Sequence, residues 1–240
     1  MFLLGVFALA VLSGGTAAVA GFGIGSLLTP LLAARFDTGT AVAAVAIPHA
    51  AATALRCWRL RKAVDWTVLR RFGLLSAAGS LAGALLYTRL SNASLTLTLA
   101  VLLLATSAAT LGDLPSKVRV TGPVAGVLGL LSGVFGGLAG NQGGLRAAAM
   151  LSFSLSPGPY VATATATAMM VDLVRTPIYL CCAGGDLYTL GVPIAVATAG
   201  VLVGTLTGER ILLGLGPRQF RRVIAAIVGL LGVWLIVQAG

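Results

Sequence analysis

The sequence predicts an all-α polytopic membrane protein made of two homologous halves. Of its 240 residues, 58% are hydrophobic and only 9% are charged, whereas soluble domains carry roughly 25% charged residues. Charge-poor stretches of about 20 residues, long enough to cross a bilayer, fill most of the chain. An internal repeat gives the two halves, because residues 13–56 align with residues 132–175 at an offset of 119 residues.

The repeat extends through both halves, with the offset rising to 121 residues after a short insertion. Duplicated, apolar, glycine-punctuated chains are typical of secondary transporters, whose binding sites lie between the halves. Aligned identical pairs include Gly21 with Gly140, Gly25 with Gly144, Arg56 with Arg175, Asp65 with Asp186, and Arg89 with Arg210.

Each half is predicted to contain a glycine-broken first segment and three further transmembrane helices. Repeat 1 covers residues 1–112, and a cytoplasmic linker covers 113–120. Repeat 2 covers residues 121–240. The predicted elements of repeat 1 are the broken segment 2–35 and helices 39–58, 67–88 and 93–112. Those of repeat 2 are the broken segment 121–155 and helices 158–183, 187–208 and 220–238.

The first segment of each half is too long for a single crossing. A helix over residues 2–35 would run ~50 Å, against a hydrocarbon core of ~30 Å. Glycine clusters at residues 21–25 and 140–144 are natural places for a break. Two interpretations follow: one span with a loop-like extension, or a re-entrant hairpin that leaves on the side it entered.

The basic residues favour re-entrant hairpins and therefore inverted halves. The net charge of +10 comes from Lys and Arg in short loops, which is the positive-inside pattern of membrane proteins rather than a nucleic-acid surface. With three crossings per half, the basic loops after the second, fourth and seventh segments all become cytoplasmic, and only Arg35 and Arg89 lie outside. Eight single crossings would instead put the basic loop around 210–222 outside.

The two breaks are predicted to bind an anion. A half-helix that begins inside the membrane presents unpaired N–H groups and a partial positive charge, here at residues 23–26 and 142–145. Amides and Arg146 add donors at the second break. The alternative is that the glycines only allow close helix packing, which suits Gly79-x-x-x-Gly83 and Gly200-x-x-x-Gly204 better. The predicted substrate-binding residues are Gly21, Gly23, Gly25, Ser26, Gly140, Asn141, Gln142, Gly143, Gly144 and Arg146.

A second polar group lies on the next helix of each half. At helical spacing, His49, Thr53 and Arg56 share one face, and their repeat equivalents are Ala168, Asp172 and Arg175. Asp172 and Arg175 are spaced to pair with each other. The pair is either purely structural, or Asp172 relays a proton or ion and holds Arg175 toward an anion. His49 is either a proton relay or a packing residue.

Enzyme and metal motifs are not found in the sequence. The single His and three Cys lack metal-ligand spacing, and no HExxH, P-loop or CxxC occurs. We therefore expect no enzyme activity, no metal site and no cofactor.

The chain resembles the sulfite exporter TauE/SafE family in three features. These are residues 21–32 (GFGIGSLLTPLL), their degenerate equivalent in 137–144, and the two-half layout. The resemblance implies a small bacterial inner-membrane permease for sulfur oxyanions or organosulfur anions, such as sulfite. The chain departs from the pattern where Asn141-Gln142 replaces further glycines, and where Ala149 stands opposite Pro30.

The combined prediction is a secondary transporter that moves a small anion by alternating access. The expected partners are the anion, the lipid bilayer, H+ or Na+ as a coupling ion, and further copies of the chain, but no nucleic acid. Two other classes stay open: a passive channel for anions or small solutes, and a membrane-embedded subunit or lipid-modifying enzyme.

Overall fold

The computed structural model describes residues 1–20, 23–113, 122–141, 143–150, 153–211 and 217–239, and these ranges contain helices but no strand. Short caps start several helices; the Asp37 carboxylate, for example, accepts from the Thr40 amide at 2.9 Å. The longer helices of the first half are α1 (Phe2–Ala20), α2 (Ile24–Ala33), α3 (Thr38–Leu60), α4 (Leu74–Tyr87) and α5 (Asn92–Leu111). Those of the second half are α6 (Gly122–Ala139), α7 (Gly143–Met150), α8 (Pro157–Thr189), α9 (Gly191–Ile211) and α10 (Pro217–Ala239).

Three segments differ from the predicted bounds. A π-helical stretch, Leu69–Gly73, precedes α4 within the predicted helix 67–88. The predicted helix 158–183 continues to Thr189, although a loop was expected at 184–186, and the predicted helix 187–208 therefore begins only at Gly191. Glycine lowers helix stability by only about 1 kcal/mol, and unpaired backbone groups at membrane depth cost more, so a helix tolerates glycines there.

The predicted class, an all-α membrane protein, is confirmed for the described residues. Large apolar side chains such as Leu85 and Leu230 cover the outer surface, as expected of a protein surrounded by lipid. Within the described ranges, five helical segments are long and apolar enough to cross a membrane: Thr38–Ala63, Asn92–Leu111, Pro157–Ala183, Gly191–Gly208 and Arg221–Gln238. Shorter apolar helices lie at Phe2–Ala18, Ile24–Ala33 and Val124–Ala139.

Glycines let helices of different halves pack backbone to backbone. Gly79 and Gly83 of α4 lie against the backbone of Leu130 and Val134 of α6, with no room for a Cβ atom. Gly204 of α9 lies equally close to the α1 backbone. The close-packing interpretation of the two Gly-x-x-x-Gly motifs is therefore confirmed.

The same contacts give the relative directions of the helices. Successive residues of α4 contact successive residues of α6 in the same chain direction, and the same holds for α1 and α9. The two helices of each pair are therefore parallel. Gly229 of α10 contacts Ser107 of α5, and Gly232 contacts Leu104, so α5 and α10 are antiparallel. The α3 and α8 helices are also antiparallel, since His49 bonds Asp172 and Arg56 bonds Thr165. All four pairings join one half of the chain to the other.

Candidate functional site

The two helix breaks meet at the centre of the protein. The α1 helix ends at Ala20 and α2 begins at Ile24, after Gly23 with a φ of 135°. In the second half, Gly140 follows α6 with a φ of 73°. Both angles favour glycine. Gly25 packs so closely on the Gly140 carbonyl that a side chain at Gly25 would collide with it.

An amide side chain joins the breaks. The Ser26 hydroxyl, in the first turn of α2, donates to Asn141 Oδ1 at 3.5 Å. Asn141 is only 6% exposed, and its Nδ2 has no hydrogen-bond partner among the described residues. A buried amide donor without a partner is costly, so this nitrogen is available to an acceptor that enters the centre.

A charged network lies beside the breaks, where α3 crosses α8. The His49 Nδ1 atom lies 2.8 Å from Asp172 Oδ2, and Thr53 Oγ1 lies 3.4 Å from the same His49 atom. Arg175 donates from Nε to Asp172 Oδ1 at 3.0 Å, and its Nη2 lies 2.8 Å from that oxygen. Asp172 and Arg175 are each only 1% exposed. The predicted pairing of Asp172 with Arg175 is therefore present, with His49 as an additional partner.

Arg175 also holds the end of α6. Its Nη1 donates to the Gly136 carbonyl at 2.7 Å, and the Tyr179 hydroxyl donates to the Gly137 carbonyl. These carbonyls lie in the last turn of α6, where the helix dipole leaves a partial negative charge that a cation stabilises. Arg175 thus ties Asp172 to the second break, and most of its donors are directed at protein groups.

Two further arginines lie in the same cluster. Arg146 of α7 is 7% exposed and interacts electrostatically with Tyr160, Asp172 and Arg175. Arg56 of α3 is partly buried; its Nη2 donates to Thr165 Oγ1 at 3.2 Å, and Arg56 and Arg146 repel each other. Arg146 and Arg175 therefore lie near the Asp172 carboxylate, and Arg56 lies near Arg146.

The structure brings most of the predicted site residues into one region. Gly21 and Gln142 lie outside the described residues. Gly143 and Gly144 form the first turn of α7, and Ser26, Asn141, Arg146 and the polar residues of α3 and α8 surround the breaks. Tyr160 and Tyr179 were not predicted, and no motif distinguishes these tyrosines from others in the chain. No partner was predicted for His49.

Metal chemistry has no evident location in the described part of the chain, where no group of three or more His, Cys, Asp or Glu side chains could hold an ion. Beside the Asp172 carboxylate, which Arg175 and His49 engage, the remaining groups are guanidiniums, amides, hydroxyls and helix N–H groups. These groups donate hydrogen bonds, and the guanidiniums carry positive charge, so they suit an anion.

The fold and its centre define a polytopic helical membrane protein with a buried, positively charged region between two helix breaks. The family model described as "Sulfite exporter TauE/SafE" matches residues 6–235. The chain therefore belongs to this family of membrane transporters, and the resemblance seen in the sequence is confirmed. No individual curated protein and no solved structure matches the chain significantly.

Proposed function

We propose that this protein is a secondary transporter that moves a small sulfur oxyanion or organosulfonate, such as sulfite, across the bacterial inner membrane by alternating access. The observation that carries the proposal is the meeting of the two helix breaks beside buried Arg146 and Asn141. Membership in a sulfite exporter family supports the transporter class and the sulfur-containing substrate. The protein is then not an enzyme, and the anion leaves chemically unchanged.

The proposed centre binds the anion through groups from both halves. The α2 and α7 helices begin at the breaks and direct their first N–H groups there. Asn141 Nδ2 and the Arg146 guanidinium supply side-chain donors. Desolvated hydrogen bonds of this kind, assisted by charge, are about twice as strong as neutral ones, which offsets the loss of the anion's hydration.

We also propose that the halves are inverted repeats. The α3 and α8 helices are repeat equivalents, as are α5 and α10, and each pair is antiparallel. Equivalent helices point in opposite directions only when the two halves have opposite orientations in the membrane. This geometry supports the inversion independently of the distribution of basic residues.

The helix directions also support re-entrant breaks. If successive spans alternate in direction, α3, α5 and α9 run the same way, whereas α4, α8 and α10 run the opposite way. Because α1 is parallel to α9, α1 and α3 share a direction. The chain must return across part of the membrane between them, and α2 is the segment available to do so.

The inverted arrangement predicts that both chain termini lie on the periplasmic side. Reporter fusions at Met1 and Gly240, with an insertion after Arg61 as the cytoplasmic reference, measure this directly. We expect a reporter enzyme that functions only in the periplasm to be active when fused at either terminus. A cytoplasmic amino terminus would contradict both the inversion and the re-entrant first segment.

We expect sulfur oxyanions to stabilise the purified protein and to cross membranes that contain it. A binder present at about 100 times its Kd adds ~2.7 kcal/mol to the free energy of unfolding. Thermal unfolding is measured with sulfite, sulfate, thiosulfate, sulfonates and carboxylates, with and without sodium. Flux into proteoliposomes is then measured for each anion that stabilises the protein.

The flux measurement separates a carrier from a channel. A coupled carrier concentrates the anion against its gradient when a proton or sodium gradient is imposed, whereas a passive channel only equilibrates it. If no anion stabilises the protein and none crosses the membrane, the transporter proposal is wrong. His49 and Asp172 are the proposed coupling groups if protons drive transport, because they join α3 to α8.

A further inference from the structure

We infer that the protein binds the phosphate headgroup of an anionic phospholipid at the carboxyl end of α3. The observation behind this inference is an arginine stacked on an exposed tryptophan at the end of a membrane-spanning segment. The Arg61 Cζ atom lies 4.0 Å from the centroid of the Trp58 ring, and Trp58 is 67% exposed. We call this surface the α3 corner; it consists of Trp58, Arg59, Arg61, Lys62 and Trp66. The inference does not depend on the proposed transport function.

The α3 corner lies where a span leaves the membrane. The apolar segment Thr38–Ala63 is long enough to cross a bilayer, and its last residues include exposed Arg59, Arg61 and Lys62. Trp66 begins the next helical turn and is 61% exposed. Tryptophan is enriched in membrane proteins at the level of the lipid headgroups. The two exposed indole rings therefore place the α3 corner at headgroup depth.

The guanidinium of Arg61 is already held in one orientation. Its Nη1 donates to the Trp58 carbonyl oxygen at 2.7 Å, while the guanidinium covers the ring of the same residue. A guanidinium has five N–H donors, so this bond leaves most of them for a phosphate. Arginine commonly stacks on an aromatic ring and donates in pairs to phosphate oxygens. Because the side chain is already ordered, binding costs less conformational entropy.

The charge of the α3 corner complements a phosphate. Arg59, Arg61 and Lys62 occupy three of four consecutive positions, and all three are exposed. The nearest acidic residue in the sequence is Asp65, whose Oδ1 accepts from two backbone amides of the following helical turn at 2.9 Å. Basic residues beside a membrane attract anionic lipids, whereas a zwitterionic headgroup has no net charge. The α3 corner should therefore prefer anionic lipid.

The paired apolar and basic groups favour a lipid over a soluble phosphate. Exposed indole rings lie next to the cations, so the α3 corner offers apolar surface and positive charge together. A phospholipid presents the matching combination of acyl chains and an anionic phosphate. Inorganic phosphate would use the cations but gain nothing from the rings.

Lipid bound at the α3 corner should also stabilise the fold. The Asp65 backbone N–H donates to the Thr163 hydroxyl of α8 at 2.9 Å, and Thr163 is fully buried. Arg56 and Thr165 join the same two helices nearby. The α3 corner is thus attached to the contact between the two halves. Since a ligand that binds only the folded protein raises its stability, anionic lipid is expected to raise the unfolding temperature.

The test uses the tryptophans of the α3 corner as reporters. A Trp234→Phe background removes the third tryptophan of the chain. The protein is reconstituted into phosphatidylcholine bilayers, and quenching of tryptophan fluorescence is compared between brominated phosphatidylglycerol and brominated phosphatidylcholine. We expect phosphatidylglycerol to bind about tenfold or more tightly. Thermal unfolding in the two lipids is the second measurement.

Two variants and a matched control make the assignment specific. Arg61→Gln is expected to reduce the preference about fivefold, and Arg59→Gln combined with Lys62→Gln should remove most of it. Arg35 is also exposed and is stacked, 4.8 Å from the Phe2 ring centroid, but it lies before the other end of α3 and has no neighbouring basic residue in the sequence. Arg35→Gln should therefore keep the full preference.

Equal quenching by the two lipids in the Trp234→Phe protein overturns the inference, and the basic residues then serve membrane orientation alone. An unchanged preference in both folded variants of the α3 corner overturns it as well. If inorganic phosphate displaces brominated phosphatidylglycerol as effectively as unlabelled phosphatidylglycerol does, the ligand is a soluble anion and the lipid assignment is wrong. None of these outcomes bears on whether the protein transports an anion.

Discussion

Replacing Arg146 with alanine is expected to abolish anion transport while the protein still folds. Loss of one partner from a buried charge pair costs on the order of 2–5 kcal/mol, which weakens anion binding at least about thirtyfold. Folding is expected to survive because Arg146 is only 7% exposed and burying a charge is costly, so alanine removes that desolvation cost from the unliganded centre. Proteoliposome flux and thermal unfolding measure the two effects.

Variants at the same position make this prediction specific. Arg146→Leu installs the residue that the first half has at the equivalent position, Leu27, and should also abolish transport. Arg146→Lys keeps the charge and should retain part of the activity. Arg70→Ala, which removes an exposed basic residue, is the matched control. Wild-type flux in folded Arg146→Ala would remove this residue from the proposed site.

Replacing Asp172 with asparagine is expected to destabilise the fold by about 3–5 kcal/mol. Breaking a buried ion pair leaves the remaining charge without compensation, and Arg175 is only 1% exposed. The His49 contact is weakened as well. Thermal unfolding in detergent and the yield of folded protein measure the effect. Asp113→Asn, which breaks the exposed pair with Arg222 at 3.4 Å, is the control and should cost at most about 1 kcal/mol.

A double variant separates the structural role of this pair from a role in coupling. Asp172→Asn combined with Arg175→Gln removes both charges, keeps amide donors near the Gly136 carbonyl, and should recover most of the lost stability. If the folded double variant still concentrates the anion as the wild-type protein does, the pair is only structural. If it moves the anion but no longer responds to a proton gradient, Asp172 and His49 couple transport to protons.

The helix breaks could be predicted from the sequence because two simple properties coincide there. A segment that is too long for one crossing contains a cluster of glycines, and α2 begins at Ile24, inside the predicted stretch 23–26. The same is true of the break before α7 at Gly143. The pairing of Asp172 with Arg175 was also predictable, since both residues lie on one turn of one helix.

The partner of His49 could not be predicted from the repeat. The alignment places Thr53, not His49, at the position equivalent to Asp172, because an alignment identifies equivalent positions rather than contacting ones. Between two antiparallel helices, a residue nearer the carboxyl end of one helix contacts a residue nearer the amino end of the other. His49 therefore meets Asp172, and Arg56 meets Thr165.

The sequence by itself determined the class, an all-α membrane protein with glycine breaks, because hydrophobic length, charge-poor composition and glycine clusters act locally along the chain. Only the tertiary structure decided that the breaks touch, that His49 bonds a carboxylate 123 positions away, and that Arg146 and Arg175 both lie near Asp172. These relations depend on how α3, α7 and α8 cross. The packing of α1 on α9 and of α4 on α6 relies on glycines of both partners, and no single segment encodes such a pairing.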